Sequence, residues 1–532
     1  MFWKFPYRPT LAVALWVLVL GCSAFARSIQ LLPPGEGGQV RAVIVGIDKY
    51  KNYKNLLGAV ADARDIQRTL TLAGVTDLVV LIDQDATRQR FESAMGRIVE
   101  VSTPGDLVVV SFAGHGAQMP EQVKGSEADG MDEVFLLAGF SEHGSGTSER
   151  ILDDELHSWM SRLDKKGVNV LFIADTCHGG GLMRKPDFRA ADISYRWAGT
   201  VSLIDDSLKP VSTEQDASLT VNDLPNVTFL AAVDKYSKAP EVFISGSATK
   251  RGALSYAFAR SIDRGQNGAV TRGQLFKFAR QLTYQYSQTQ QSISTEPSRG
   301  GLDKPIFRLS VSGEPEEEAE VATEIRLKAM YLSDRSLLAS LEAVRIKVVT
   351  ENEPADLIWD VSKGELLNEV GDLISSCRTT ADVVAIVERT RAMAAIALMS
   401  ERAVQEIRLL PNDRRFHGGE LASFRIDGIS KKFLILLNVT GDGEVRLLFP
   451  VRSMDSALVQ SGTFELPLKV NEPYGTDAII AIVSDERLLD LESQLNRITG
   501  QRSANSLRLL MASHLRVNRS ARVGLASVFT SR

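Results

Sequence analysis

The chain has 532 residues, 44% hydrophobic and 24% charged, with a formal net charge of −5. That length exceeds one ordinary core and implies two or three domains, while the mild acidity gives no reason to expect nucleic acid or an anionic membrane surface as partner. The three cysteines, Cys22, Cys177 and Cys377, are too few for a disulfide framework and too scattered for a zinc site.

Lys4 and Arg8 precede an apolar run over 11–20, and Ala24-Phe25-Ala26 follows it. This is the pattern of an export signal over 1–26, cleaved after Ala26 to give a periplasmic or secreted product. The run is short for a spanning helix, which needs about 20 apolar residues. Val19-Leu20-Gly21-Cys22 also resembles a bacterial lipobox, and on that alternative Cys22 carries lipid and the product is a membrane-anchored lipoprotein.

Residues 28–39, with Pro33-Pro34-Gly35, read as a linker. A first strand is predicted over 40–47, followed by a helix over 58–73 with apolar residues at Val60, Ala63, Ile66, Leu70 and Ala73. A strand over 78–82 and a helix capped by Thr87 and running to about 101 come next. The apolar stretch 106–113 is a further strand, ending in Gly114-His115-Gly116. Strands alternating with helices predict an α/β fold, a mostly parallel sheet with helices on both faces. Residues 117–150 read as a polar, Gly-rich loop, after which Asp153, Asp154 and Glu155 open a helix whose dipole favours acids in its first turn. The apolar run 168–174 then ends in Asp175-Thr176-Cys177-His178 and three glycines.

A strand that stops there delivers its last side chains to the sheet edge where open α/β sheets bind ligands. Cys177 is the candidate nucleophile, beside glycines that let backbone N–H groups approach a substrate. A thiol needs a base, and His115 ends another strand in a matching setting. A lone buried cysteine is more often a small hydrophobe. Two such residues at glycine-flanked strand ends instead point to a catalytic pair, with the N–H groups of Gly116 and Cys177 as oxyanion donors. His178 adjoins the cysteine, but consecutive side chains at a strand end point apart, so its role is read as structural.

Phe112-Ala113-Gly114-His115-Gly116 and Asp175-Thr176-Cys177-His178-Gly179 resemble the two signature blocks of the caspase-like cysteine peptidases, in the metacaspase and bacterial caspase-homologue branch. The animal-caspase signature Q-A-C-x-G is absent, and the resemblance covers roughly residues 38–310. It implies a caspase-like sandwich and a cysteine endopeptidase that works through a thioester, with peptides or proteins as substrates. Where animal caspases carry a pocket arginine this chain has Leu56-Leu57, whereas the acids that line the metacaspase pocket match Asp62 and Asp175. A carboxylate pair favours Arg or Lys before the scissile bond. The family's activating calcium ion is matched by Asp153 and Asp154, although Arg184-Lys185 stand where a further acid is expected; no other cofactor is implied.

The resemblance also marks 183–223 as the linker between the large and small parts, often cut during activation. Its Arg184, Lys185, Arg189 and Arg196 motivate self-cleavage there. A strand over 226–233, Ala239-Pro240-Glu241 and a helix from about 252 correspond to one wall of the substrate groove; a helix over 271–285 and a strand over 305–310 finish the domain. Two alternatives stand beside hydrolysis: a catalytically silent interaction module, and a transpeptidase using the same thiol.

Residues 311–320 form an acidic linker around Glu314-Pro315-Glu316. Beyond it lies an accessory region over 321–532, read as mixed helix or strand over 321–350 and 380–406. From 421 the pattern is β, with Gly441-Asp442-Gly443 as a hairpin turn. From about 405 this part resembles a β-rich α+β domain of unknown function appended to bacterial caspase homologues. His417 and His514 are isolated and read as structural.

Overall fold

The computed structural model describes residues 27–532 apart from 123–129, 178–193, 204–223, 234–238, 245–248, 288–290, 292, 297–299, 314–323, 333–340, 342–343, 351–352, 354, 370, 412–414, 452–455 and 519. The export segment 1–26 therefore lies outside the described residues, as do His178, Arg184, Lys185 and Arg189. Among the described residues no helix is long and apolar enough to cross a membrane.

The first half of the chain runs β1 (Ser28–Leu32), β2 (Val40–Gly46), α1 (Ala59–Leu72), β3 (Asp77–Ile82), α2 (Arg88–Val101) and β4 (Leu107–Ala113). Then come β5 (Gly116–Pro120), β6 (Met131–Leu136), β7 (Arg150–Leu152), α3 (Asp153–Lys165) and β8 (Asn169–Asp175). β9 (Trp197–Thr200), β10 (Val227–Ala231), β11 (Glu241–Phe243), β12 (Lys250–Gly252) and α4 (Ala253–Asp263) follow. β13 (Gly268–Thr271), α5 (Arg272–Tyr286), β14 (Ser294–Glu296) and β15 (Pro305–Ser312) complete this half.

Six strands form the central sheet in the order β14-β10-β8-β4-β2-β3. All neighbours are parallel except β14, which runs antiparallel to β10. Every residue of β4 is buried, as a parallel strand covered on both faces requires. Alternate residues divide between two apolar layers: Ile44, Val109, Leu171 and Ile173 on one face, Val43, Val45, Val110 and Phe172 on the other. α1 lies close against the end of β2, since a Cβ on Gly46 would come within 2.5 Å of the Ala63 Cβ. Thr87 caps α2 by accepting the Arg90 N–H.

Three local expectations are corrected. Residues 28–32 are not linker but a strand pairing antiparallel with β15, which joins β1 and β13 outside the central sheet. The stretch 117–150 is not one loop, for β5 and β6 pair antiparallel and β7 extends them. Residues 197–200 form β9, pairing parallel with β5. Each correction is a long-range backbone pairing, which leaves little trace in local periodicity.

In the second half, strands Ile325–Met330, Ile346–Val349, Leu357–Asp360, Glu365–Asn368 and Leu373–Ser376 make a five-stranded sheet. Helix Thr380–Arg402 resolves the ambiguous 380–406 stretch. Lys432–Val439 and Glu444–Phe449 pair around the Gly441-Asp442-Gly443 turn, where Gly443 takes φ +90°. An apolar cluster built on Leu254, Phe258 and Leu282 continues into Ile396 and Leu437, so the two halves share buried surface.

Candidate active site

β4 and β8 are adjacent, with Ala113 opposite Asp175 in register. Gly114-His115 and Thr176-Cys177 therefore leave the same sheet edge side by side. This juxtaposition follows from two apolar runs that both stop at polar, glycine-flanked residues.

The His115 imidazole is buried against the Tyr50 ring, with centroids 4.7 Å apart. Its Nε2 lies 2.7 Å from the Lys54 carbonyl oxygen. A carbonyl only accepts, so Nε2 carries the hydrogen and Nδ1 is left as the basic nitrogen of the neutral ring. Nδ1 is buried with no hydrogen-bond partner among the described residues. Burial pulls the His115 pKa below its ordinary value, against the opposing pull of the Lys54 carbonyl and Glu241. The ring is thus held neutral, oriented and basic at one nitrogen. The His115 N–H donates to the Tyr50 hydroxyl at 2.7 Å, fixing the backbone beneath it.

Cys177 is fully buried, and its Sγ accepts the Ala239 N–H at 2.8 Å. A hydrogen bond donated to sulfur favours the thiolate over the thiol. The Gly116 N–H and the Cys177 N–H, the two expected oxyanion donors, converge on a single oxygen, the carbonyl of Arg196, at 3.0 and 3.2 Å.

The Arg196 side chain enters a pocket of acids. Its guanidinium pairs with Asp62, with Asp175 at 3.1 Å and with Glu241 at 3.4 Å, and none of these four side chains has any solvent exposure. The acids are held from behind by backbone donors. Gly252 N–H reaches Asp62 at 2.9 Å, Ser255 N–H reaches Asp175 at 2.7 Å, and the Leu57 and Gly58 N–H groups reach Glu241 at 2.9 and 2.8 Å. Gly252 is needed at this wall, since a Cβ there would collide with the Asp175 carboxylate and the guanidinium. Burial, with the like charge of Asp175, pushes the Asp62 carboxyl well above the ordinary range, though Arg196 pulls it back. For Arg196, burial opposes the charge but Asp175, Asp62 and Glu241 outweigh it, so the guanidinium stays ionised.

The structure therefore brings His115, Gly116, Cys177, Asp62 and Asp175 to one place. Sequence reasoning did not assign three contributors to this site, although Glu241 was named in a groove wall and Arg196 in the linker. Glu241 had a legible signal, an acid leading the otherwise apolar β11. The Lys54 carbonyl had none, because a backbone oxygen has no residue type. Arg196 was one of four linker bases with nothing to single it out. Asp153 and Asp154, the expected calcium ligands, open α3 as read from the sequence. Among the described residues no three His, Cys, Asp or Glu side chains group to hold a metal ion. The chemistry below draws on no metal.

A thiol and an imidazole from adjacent strand ends of an α/β sheet, with paired N–H donors beside them, define a caspase-like cysteine peptidase. The family model described as metacaspase, peptidase C14 domain, matches residues 40–186. Metacaspase-2 of Arabidopsis thaliana is 30% identical over 304 residues, covering 54% of this chain and 68% of that one. Metacaspase-1 of Mycosarcoma maydis is 27% identical over 296 residues, covering 49% and 71%. The chain belongs to the metacaspase family. Among solved structures, a Geobacter sulfurreducens protein aligns at 19% identity over 52% of this chain and 95% of its own, with a TM-score of 0.33. Caspase-1 from Spodoptera frugiperda aligns at 11% identity over 52% and 86%, with a TM-score of 0.29.

Proposed function

We propose that the chain is a cysteine endopeptidase that hydrolyses peptide bonds after Arg or Lys through Cys177 and His115. One observation carries this reading. A basic side chain ion-paired with Asp62, Asp175 and Glu241 belongs to the residue whose carbonyl oxygen accepts from Gly116 and Cys177. Pocket and oxyanion donors are thus aligned on one residue's side chain and carbonyl, as cleavage after a basic residue requires.

His115 Nδ1 takes the Cys177 proton, and the thiolate adds to the carbonyl carbon of the bound residue. Negative charge developing on the oxygen falls on the Gly116 and Cys177 N–H groups, which are already in position and need no reorganisation. Protonated Nδ1 then gives its proton to the leaving amine, and water hydrolyses the thioester. The side chain of the residue before the scissile bond meets the acids Asp62, Asp175 and Glu241, so a basic residue is favoured there and Asp is disfavoured. Arg gains more than Lys because its planar fork reaches several acids at once.

Fluorogenic peptides ending in Arg, Lys and Asp test the reading, with Cys177→Ala and His115→Ala as controls. Hydrolysis in the order Arg, Lys, then no measurable Asp is expected, with loss of about 10³-fold or more in either variant. Preferential Asp cleavage, or full activity in Cys177→Ala, would sink the assignment.

A further inference from the structure

The five-stranded sheet of the second half has two faces, and one of them already supplies its core. Leu327, Leu357, Trp359 and Leu366 pack there with Val383, Ile386 and Val387 of helix Thr380–Arg402. A sheet covered by one helix layer has the core such a unit needs. The opposite face carries Ile358 directly across from Leu367, both buried, with Met330 and Leu373 packed against them. Among the described residues, the side chain that joins this small cluster from the peptidase half is Tyr195.

That face is pinned to the wall of the acid pocket. Glu369, which follows the strand bearing Leu367, accepts the Phe243 N–H on both carboxylate oxygens at 3.1 Å. The Arg326 guanidinium lies 3.9 Å from the centre of the Phe243 ring and is itself held by Asp356 at 2.7 Å. Phe243 ends β11, whose first residue is Glu241, and β12 opposite it ends in Gly252, the donor to Asp62. The accessory sheet is thus tied to the strand pair that lines the pocket.

Tyr195 directly precedes Arg196, whose guanidinium enters the acids and whose carbonyl meets the Gly116 and Cys177 N–H groups. The Arg196 N–H donates to the Ala239 carbonyl at 3.2 Å, the Glu241 N–H donates to the Ser194 carbonyl at 2.8 Å, and Tyr195 bridges antiparallel to Pro240. Neighbouring side chains on an extended strand point to opposite sides. A peptide lying along 239–241 in this direction therefore sends its basic side chain to the acids and the preceding one to the accessory sheet. Docking of two halves would explain apolar contact anywhere along their interface. It would not explain an apolar face set one residue away from the acid pocket and anchored there by Glu369.

We propose that the accessory sheet supplies the subsite for the residue immediately before the basic one, with Ile358, Leu367, Met330 and Leu373 as its apolar floor. Preferred substrates then carry a large aromatic or aliphatic residue followed by Arg or Lys. This deepens the peptidase reading above and rests on it.

Fluorogenic peptides ending in Phe-Arg, Leu-Arg, Gly-Arg and Asp-Arg, otherwise identical, are compared by kcat/KM on the purified full-length chain. Phe and Leu are expected to exceed Gly about tenfold or more, as burial of one large apolar side chain gives, with Asp lowest. Leu367→Ala removes part of the floor and should shrink the ratio of Phe to Gly severalfold. Met330→Trp, at the partly exposed rim, fills the subsite and should shrink the same ratio even where Leu367→Ala fails to fold. A wild-type chain that hydrolyses Arg peptides without regard to the preceding residue overturns this inference and leaves the peptidase reading intact. A preference for Phe that survives in the folded variants overturns the part given to the accessory sheet. A chain that hydrolyses none of the peptides overturns both readings.

Discussion

Two arginines buried in this molecule are held in opposite ways. Arg196, in the peptidase half, faces three carboxylates that keep it ionised against the cost of burial. Arg389, on helix Thr380–Arg402 of the second half, instead donates to the Thr440 carbonyl at 3.0 Å and the Thr476 carbonyl at 2.8 Å. There burial wins, and its pKa is pushed down to about 10 despite Asp477 and Asp442 nearby. Arg389 ties a helix to the ends of two strands and serves architecture. Arg196 sits where carboxylates exceed what one cation needs, beside a thiol. A cluster of buried acids is a poor choice for stability, because an unpaired buried charge is costly.

The contrast breaks most directly at Arg389. Arg389→Met removes two buried hydrogen bonds to carbonyls and should lower unfolding free energy by about 3 kcal/mol, measured by urea titration, with Arg-peptide hydrolysis per folded molecule unchanged. A loss of hydrolysis without loss of stability would make Arg389 part of the functional machinery and erase the distinction. Asp62→Asn sharpens the other side. One charge-assisted contact to the bound guanidinium is lost, worth about 2 kcal/mol or roughly thirtyfold in kcat/KM for the Arg peptide. The same change should narrow the preference for Arg over an uncharged residue, and an unaltered preference would take Asp62 out of the pocket.

The smallest effect concerns pH. On the proposed mechanism His115 accepts the thiol proton only when neutral, and burial lowers its pKa from 6.5. The group is depressed in the fold, so the stability linked to it is fully present above 6.5 and is lost as pH falls toward the folded value. Hydrolysis should likewise be level through neutrality and fall on acidification, with a midpoint below that of an ordinary histidine. A midpoint above 6.5 would contradict the buried, carbonyl-anchored ring.

Much of the site was legible because it depends on local pattern. Fully apolar runs that stop at Gly114-His115-Gly116 and at Asp175-Thr176-Cys177 can only be buried parallel strands delivering polar ends to one edge. The β-hairpin around Gly441-Asp442-Gly443 was legible for the same reason, since its turn residues carry their own backbone preference. What the sequence hid was pairing at a distance: β1 on β15, β5 on β6 and β9.

By itself, then, the sequence determined which residues could do chemistry and that two strand ends would carry them, because burial periodicity and chain-breaking glycines act over a few residues. Only the tertiary structure decided that Glu241 joins Asp62 and Asp175, that the Lys54 carbonyl sets which nitrogen of His115 is basic, and that the Arg196 guanidinium enters those acids. Those outcomes depend on backbone hydrogen bonds and buried charge balance between segments far apart in the chain, and neither leaves a mark on the residues that flank them.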